Sequence, residues 1–167
     1  MNLDIRPEQP LDDAAIDTVI LAAFAASPYS SHTEHEVVRK LRAAGALAQS
    51  LVARLDGQVV GHVAFSPLRI ADGSEGWWGL GPIAVNPVHQ GLGIGGALML
   101  AGLEGARAAQ VGGCVVLGDP AFYGRFGFAP DPDLVLAGVP PEFFQVRRLR
   151  DAHARGEVFY HPAFDGA

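Results

Sequence analysis

Two short segments hold most of the residues that could do chemistry. The first, Ile83-Ala-Val-Asn-Pro-Val-His-Gln-Gly-Leu-Gly-Ile-Gly-Gly-Ala-Leu98, passes from an extended run through a glycine-rich turn into a helical run. Such a turn suits an anion. Gly91, Gly93 and Gly95 carry no side chain to hold a phosphate off, and the first amides of the helix point outward along a dipole that favours negative charge. The second segment is Leu117-Gly-Asp-Pro-Ala-Phe-Tyr-Gly-Arg-Phe-Gly-Phe128. Here Asp119 stands at the mouth of the crevice where open sheets place ligands, and it also suits the cap of a short helix opened by Pro120. Tyr123 adds a phenol which, on residue pattern alone, reads as a half-buried core tyrosine with a bonded hydroxyl.

Other phosphate-binding patterns fit less well. Gly91, Gly93 and Gly96 spell G-x-G-x-x-G, with Asp119 about twenty residues beyond, as in a dinucleotide fingerprint. In that unit the first glycine follows its strand almost at once, whereas Asn86-Pro-Val-His-Gln90 intervene here, and two helices and a hairpin precede the motif. A Walker-type loop would need Lys-Ser or Lys-Thr after the glycines, and neither is present. His32, Glu34, His35 and Glu36 lack the second His of a zinc-protease helix and read as a solvated helix start, so no metal is expected. Arg147, Arg148 and Arg150 read as the solvent face of a late strand. Cys114, the single cysteine, lies in an apolar strand; it is a poor nucleophile and excludes an internal disulfide.

The elements that carry these residues follow from periodicity. Asn2–Arg6 alternates as a strand, and a helix capped by Asp12 or Asp13 buries Ile16, Val19, Ile20, Ala23 and Phe24 until Ser27-Pro28. A second helix spans 33–44, with a capping box from Thr33 to Glu36 and a stop at Gly45. Strands at 51–55 and 58–65 meet at an Asp56-Gly57 hairpin turn. A strand at 77–85, the glycine turn, and a helix at 94–109 stopped by Gly112-Gly113 come next. Cys114–Leu117 returns after that helix and should lie parallel to the strand before it. A helical turn at 120–125, an irregular stretch at 129–141 and a strand at 143–149 follow. The predicted fold class is α/β in the broad sense, a mixed, mostly antiparallel sheet with helices on both faces.

Composition bounds the whole. With 167 residues, 49% hydrophobic and 18% charged, residues 1–167 read as one globular domain. Lys+Arg is 12 against Asp+Glu 18, and a net charge of −6 offers no field for a nucleic-acid backbone, so no nucleic-acid partner is expected. The longest apolar run, Val19 to Ala26, is far short of the roughly 20 residues a bilayer span needs, so no membrane partner is expected either. A cytoplasmic protein, monomer or homodimer, is the expectation.

At this level of detail the residues resemble a known family. Val85-Asn-Pro-x-x-Gln-Gly-x-Gly-Ile-Gly95 is similar to the acyl-CoA motif of the GNAT N-acetyltransferase superfamily, and Asp119 through Tyr123 to Gly127-Phe128 resembles its second signature. The preceding Gly-Pro-Ile-Ala-Val, the helix at Glu34–Arg42 and the tail Gly156-x-Val-Phe-Tyr-His-Pro-Ala-Phe164 resemble the YhbS-like subgroup.

The resemblance implies an acyl-CoA N-acyltransferase fold in which the strand before the glycine turn splays from its neighbour. Ile83, Ala84 and Val85 would then line the pantetheine arm, and Gln90, Gly91, Leu92, Gly93, Ile94, Gly95 and Gly96 would hold the pyrophosphate, with Asp119 at the crevice mouth. Tyr123 falls on the general-acid position, where a phenol protonates the departing thiolate. The implied cosubstrate is acetyl-CoA, without a metal, and the implied partner is an amine acceptor of unidentified nature. Transfer would be direct, in a ternary complex; the other class to weigh is a non-catalytic acyl-CoA binding or sensing module. The family's base position falls near Trp77, which cannot take a proton; Glu75, His62 or a water chain remain open. The acceptor would enter beside the loop Ser27-Pro-Tyr-Ser-Ser-His-Thr-Glu34, where Tyr29 and Glu34 could attract a cationic amine.

Overall fold

The computed structural model describes residues 2–165. Strand β1 (Leu3–Pro7) runs antiparallel to β2 (Gln49–Leu55), with Ile5 opposite Ala53. β2 turns into β3 (Gln58–Pro67) through Asp56 and Gly57 at φ 52° and 86°, the left-handed pair a two-residue hairpin of this hand requires. β3 lies antiparallel to β5 (Trp77–Val85), β5 parallel to β6 (Gly113–Leu117), and β6 antiparallel to β8 (Phe144–Arg148). The order across the sheet is β1-β2-β3-β5-β6-β8, mixed and mostly antiparallel as the periodicity implied.

The period of two decides what each face buries. Val52, Ala64 and Ala84 meet Ile16, Val19 and Ile20 of α1 (Asp13–Phe24) and Val38 of α2 (Glu34–Ala43). Leu51, Ala53, Val63 and Phe65 face the opposite way, onto Leu98, Met99 and Leu103 of α3 (Ile94–Ala108). No helix among the described residues is long and apolar enough to cross a membrane.

Several local expectations are corrected. A 3-10 turn at Pro10–Asp12 precedes α1, and the Asp12 carboxylate accepts from the Gln9 amide at 2.7 Å and pairs with Arg6 rather than capping α1. The capping box at α2 does not form; Ser30 Oγ donates to Glu34 at 2.5 Å instead, while Gly45 at φ 67° does end the helix. α3 is ended by Gln110 at φ 61°, not by Gly112-Gly113. Those glycines make room for Trp77, since a Cβ on Gly113 would lie 2.5 Å from its ring. Arg148 is no solvent face. It folds back beneath Trp77, 5.7 Å from the ring, and binds Asp131 at 2.9 Å and the Ala154 carbonyl at 2.9 Å.

The stretch expected to be irregular, and the tail, instead build a second sheet. β4 (Arg69–Ile70), β9 (Gly156–Phe159) and β7 (Leu134–Val135) pair in the order β4-β9-β7. Ile70, Leu134 and Val158 bury against Trp77, Val115 and Phe144. This small sheet carries the tail back to the centre of the molecule.

Candidate active site

β5 and β6 pair only from Trp77–Gly113 to Gly79–Val115, then separate. Beyond that point β5 is held on its outer side by β3, with the Asn86 amide donating to Val60 O at 2.8 Å. β6 is held on its outer side as well: the Gly118 amide donates to Phe143 O at 2.9 Å, and Gln145 Nε2 donates to Gly118 O at 3.1 Å. The inner edges are left open. Because backbone groups alternate along a strand, Asn86 facing β3 turns the N–H and C=O of Ile83 and the N–H of Val85 toward the open edge, Val85 O being taken by Gln90. Ala84 has the opposite phase: it lies opposite His62 of β3, and its methyl is buried against α1, so it forms cleft wall without offering an amide to the opening.

At the far end of β5, local bonds set the glycine turn. Asn86 Oδ1 accepts from the Val88 amide at 3.1 Å, and Gln90 Nε2 donates to Val85 O at 3.1 Å. Gly91 and Gly93 then take φ 81° and 80°, which a side chain would disfavour. Gly93 is the N-cap of α3 and offers no side chain to the helix. Ala97 is the residue whose amide turns back onto Gly93 O, at 3.0 Å, so the amides of Ile94, Gly95 and Gly96 head the helix without intrahelical partners. Ile94 contributes only its amide, its side chain being buried in the core, and Leu92 sits half-exposed outside the cleft lining. The remaining glycines serve fit: Gly95 and Gly96 lie under the rings of Phe122 and Phe126.

Together these edges bound one cleft of about 1280 Å³. The glycine turn, Phe122 and Arg125 line one part of it; Ser27, Tyr29 and Ser30 of the α1–α2 loop, with Glu34 at the start of α2, line another. Asp119 caps α4 (Pro120–Tyr123), its Oδ1 accepting from the Ala121 amide at 2.9 Å, and also lines the cleft. Tyr123 is 9% exposed, with its ring against Gly118 and edge-on to Phe122 at 5.0 Å. Burial, then the charge of Asp119, pushes its phenol up to about 12. Tyr123 lines the cleft, and no hydrogen bond from the described residues reaches its hydroxyl.

None of the side chains weighed as base stands in the cleft. Trp77 is buried and donates to Asp151 at 3.2 Å, and Glu75 is exposed in the loop before β5. His62 is fully buried on the α1 side, its Nε2 bonded to Ser50 Oγ at 2.8 Å. Burial, opposed by Glu8 and aided by Arg42, takes His62 down to about 4, so it is neutral and structural. Ser50 Oγ donates to Glu8, which Arg42 clasps through both carboxylate oxygens at 2.8 and 3.0 Å. The network ties α2 to β1 and β2. Cys114 is buried, and its thiol is pushed up to about 12.

Sequence reasoning missed Tyr160. Its ring lines the cleft and covers Gly79, where a Cβ would meet it at 2.6 Å, at the last residue pair before the strands separate. The tail that carries it was visible as a resemblance, but nothing in the sequence shows where β9 delivers it.

The cleft lies between diverging strands, and comparison with known proteins gives its class. The model of the Acetyltransferase (GNAT) family matches residues 18–128. Over 96% of its length the chain is 38% identical to the N-acetyltransferase YhbS of Escherichia coli, covering 98% of that protein. The crystal structure of E. coli YhbS in complex with CoA superposes with TM-score 0.89, covering 99% of this chain and 93% of that one. A GNAT family acetyltransferase from Brucella melitensis, crystallised with acetyl-CoA, is 46% identical with TM-score 0.88 over 98% of this chain and 99% of that one. The chain is an acyl-CoA-dependent N-acyltransferase and belongs to the GNAT family. Within it, near full-length identity sets the chain in the YhbS-like subgroup.

Proposed function

We propose that the open edge of β5 and the glycine turn bind acetyl-CoA, and that the acetyl group passes directly to a primary amine entering from the α1–α2 loop. The supporting observation is the coincidence of an unpaired strand edge with a helix N-terminus left uncapped at Gly93. Bound acetyl-CoA supplies an activated acetyl thioester. The amides of Ile94 to Gly96 receive the pyrophosphate, and Gln90 holds the turn in register through Val85 O. The Ile83 and Val85 edge offers strand-like bonds to the pantetheine amides, and Tyr123 gives its proton to the departing sulfur. Cys114 takes no part, being buried with a thiol rather than a thiolate, which favours a ternary complex over an acetyl-cysteine route. None of Trp77, Glu75 and His62 takes the amine's proton, because all three lie outside the cleft. We place the enzyme in the cytoplasm, where its single thiol stays reduced.

At the acceptor end, Glu34 presents a carboxylate oriented by Ser30, and Tyr29, 97% exposed, offers a ring at the rim. Phe24 and Val37 supply apolar wall behind them. The matching acceptor is an ammonium-bearing molecule with an apolar body, attracted as a cation and acetylated as the neutral amine. A panel of primary amines with acetyl-CoA, read by thiol release, tests the transfer. Combined Tyr29→Ala and Glu34→Gln should raise the acceptor KM about tenfold and leave that of acetyl-CoA unchanged. Acetyl-CoA binding without thiol release for any amine rejects transfer and leaves a sensing module. Unchanged acceptor kinetics in the double variant reject the role of the loop alone.

A further inference from the structure

Backbone amides at the glycine turn can read only a pyrophosphate, a group that many nucleotides carry. What sets CoA apart at that end is a phosphate on the 3′ position of its ribose. A phosphomonoester carries about −1.5 to −2 charges at neutral pH, and the planar fork of a guanidinium is the side chain that matches its oxygens. The chain as a whole has a net charge of −6, and Glu34 and Asp119 put carboxylates on the cleft wall. Arg125 is the only arginine or lysine on that wall among the described residues.

Two rings set its place. The Arg125 guanidinium lies 5.6 Å from the Phe122 ring centre and 5.5 Å from that of Phe126. The same two rings, 5.3 Å apart, pack on the first turn of α3, each 3.6 Å from where a Cβ would stand, Phe122 on Gly95 and Phe126 on Gly96. The guanidinium is therefore one aromatic ring away from the amides that head the helix. In CoA the 3′-phosphate is one ribose away from the pyrophosphate, so a pyrophosphate on those amides brings the 3′-phosphate within the span of Arg125. The ring contacts hold the guanidinium before any ligand arrives. Arg125 is exposed and makes no ion pair or side-chain hydrogen bond among the described residues, which leaves its N–H donors free. Arg69 is stacked in the same manner, 4.2 Å from Phe159, but lies outside the cleft.

We infer that Arg125 is a specificity-determining residue for the cosubstrate: its guanidinium binds the 3′-phosphate of CoA through paired N–H···O bonds and so selects CoA over its 3′-dephospho form. The inference rests on the proposed seat of the pyrophosphate at the glycine turn and deepens it by assigning the phosphate that the turn does not read. The 3′-phosphate stands at the far end of the cosubstrate from the thioester, so the effect falls on KM for acetyl-CoA and not on kcat.

The test is calorimetry of CoA and of 3′-dephospho-CoA with the wild type and with Arg125→Gln, which keeps a polar side chain and removes the charge and the fork. CoA affinity should fall about tenfold in the variant. In the wild type 3′-dephospho-CoA should bind about tenfold more weakly than CoA, and in Arg125→Gln the two should bind alike. Unchanged CoA affinity in the variant overturns the assignment. So does an equal loss for both ligands, which would put the guanidinium on the pyrophosphate or the adenine. Should Arg125→Gln not fold, a wild-type preference for CoA that Arg125→Lys reduces upholds the assignment; no preference, or one that Arg125→Lys leaves whole, overturns it. Gly93→Val separates this assignment from that of the turn. Unchanged CoA affinity there, with a loss confined to CoA in Arg125→Gln, would remove the turn and keep Arg125; weakened affinity there and none in Arg125→Gln would do the reverse.

Discussion

Removing the Tyr123 hydroxyl separates catalysis from folding. Tyr123→Phe keeps the ring against Gly118 and its edge contacts at 5.0 Å to Phe122 and 6.1 Å to Phe128. The lost oxygen carries no bond from the described residues, so stability should change by no more than about 0.5 kcal/mol. The rate is another matter. In water a phenol near pKa 10 is a weaker acid than a thiol near 8.5, and handing it a proton would cost the thiolate's protonation about 2 kcal/mol. Burial raises thiols and phenols alike, as it raises both Cys114 and Tyr123 in this fold. A thiolate formed beside Tyr123 becomes a better proton acceptor to the extent that bound substrate excludes water from the cleft. A positioned acid of this kind is worth about 10² to 10⁴ in rate, or roughly 2.7 to 5.4 kcal/mol of activation free energy. Turnover of Tyr123→Phe should fall by that factor, with CoA affinity by calorimetry and melting temperature both unchanged. Since the phenol is protonated at every pH below about 12, the wild type should show no alkaline loss of kcat near pH 9 that depends on this residue. Full turnover in the variant, or an alkaline limb near pH 9 that Tyr123→Phe abolishes, refutes the assignment.

Two further predictions concern the frame around the site. Gly93→Val should weaken CoA binding about tenfold or more by calorimetry; nothing lies within 4 Å of the new Cβ, so the cost arises from φ 80°, about 1–2 kcal/mol for an L residue, and from a side chain standing where phosphate belongs. A folded variant with unchanged CoA affinity would remove the turn from the cofactor site. His62 is lowered from 6.5 to about 4 in the fold, so the unfolded chain binds its proton first and stability is lost as pH falls from about 6.5 to 4, by up to about 3 kcal/mol. Glu8, also lowered, adds loss in the same direction at lower pH. Urea unfolding from pH 7 to 4 should show this slope, and His62→Leu should flatten it; an equal slope in the variant would put the titrating group elsewhere.

What the sequence made legible is whatever short segments decide locally. Asp56-Gly57 can satisfy two positive φ angles, Gly45 can end a helix, and Ile83 to Leu98 contains its strand, its turn and its helix start within sixteen consecutive residues. What it hid depends on partners far along the chain. Leu134–Val135 and Arg69–Ile70 are strands only because Gly156–Phe159 pairs with each, and two residues hold no period to read. Gly112 and Gly113 look like a helix stop until Trp77 is seen to need their missing side chains. Arg148 looks solvated until Asp131 and the Ala154 carbonyl bind it. Tyr160 belongs to the same class: its place on the cleft wall depends on Gly79, some eighty positions earlier, a contact that no local pattern encodes.

The cleft itself follows from how hydrogen bonds are shared out across the sheet. Opening two strands in the middle of a sheet would normally orphan a row of backbone groups, at about 1–3 kcal/mol for each one buried. Here each strand is secured on its outer side, β5 by Val60 and β6 by Phe143 and Gln145, so neither needs the other beyond Gly79 and Val115. The inner edges avoid the penalty because they face a cleft that water or ligand can reach. Such an opening is stable empty and already shaped, and an extended amide-bearing ligand replaces water on the edge without any strand having to move. Positions where the sheet withholds its own pairing are therefore where substrates belong.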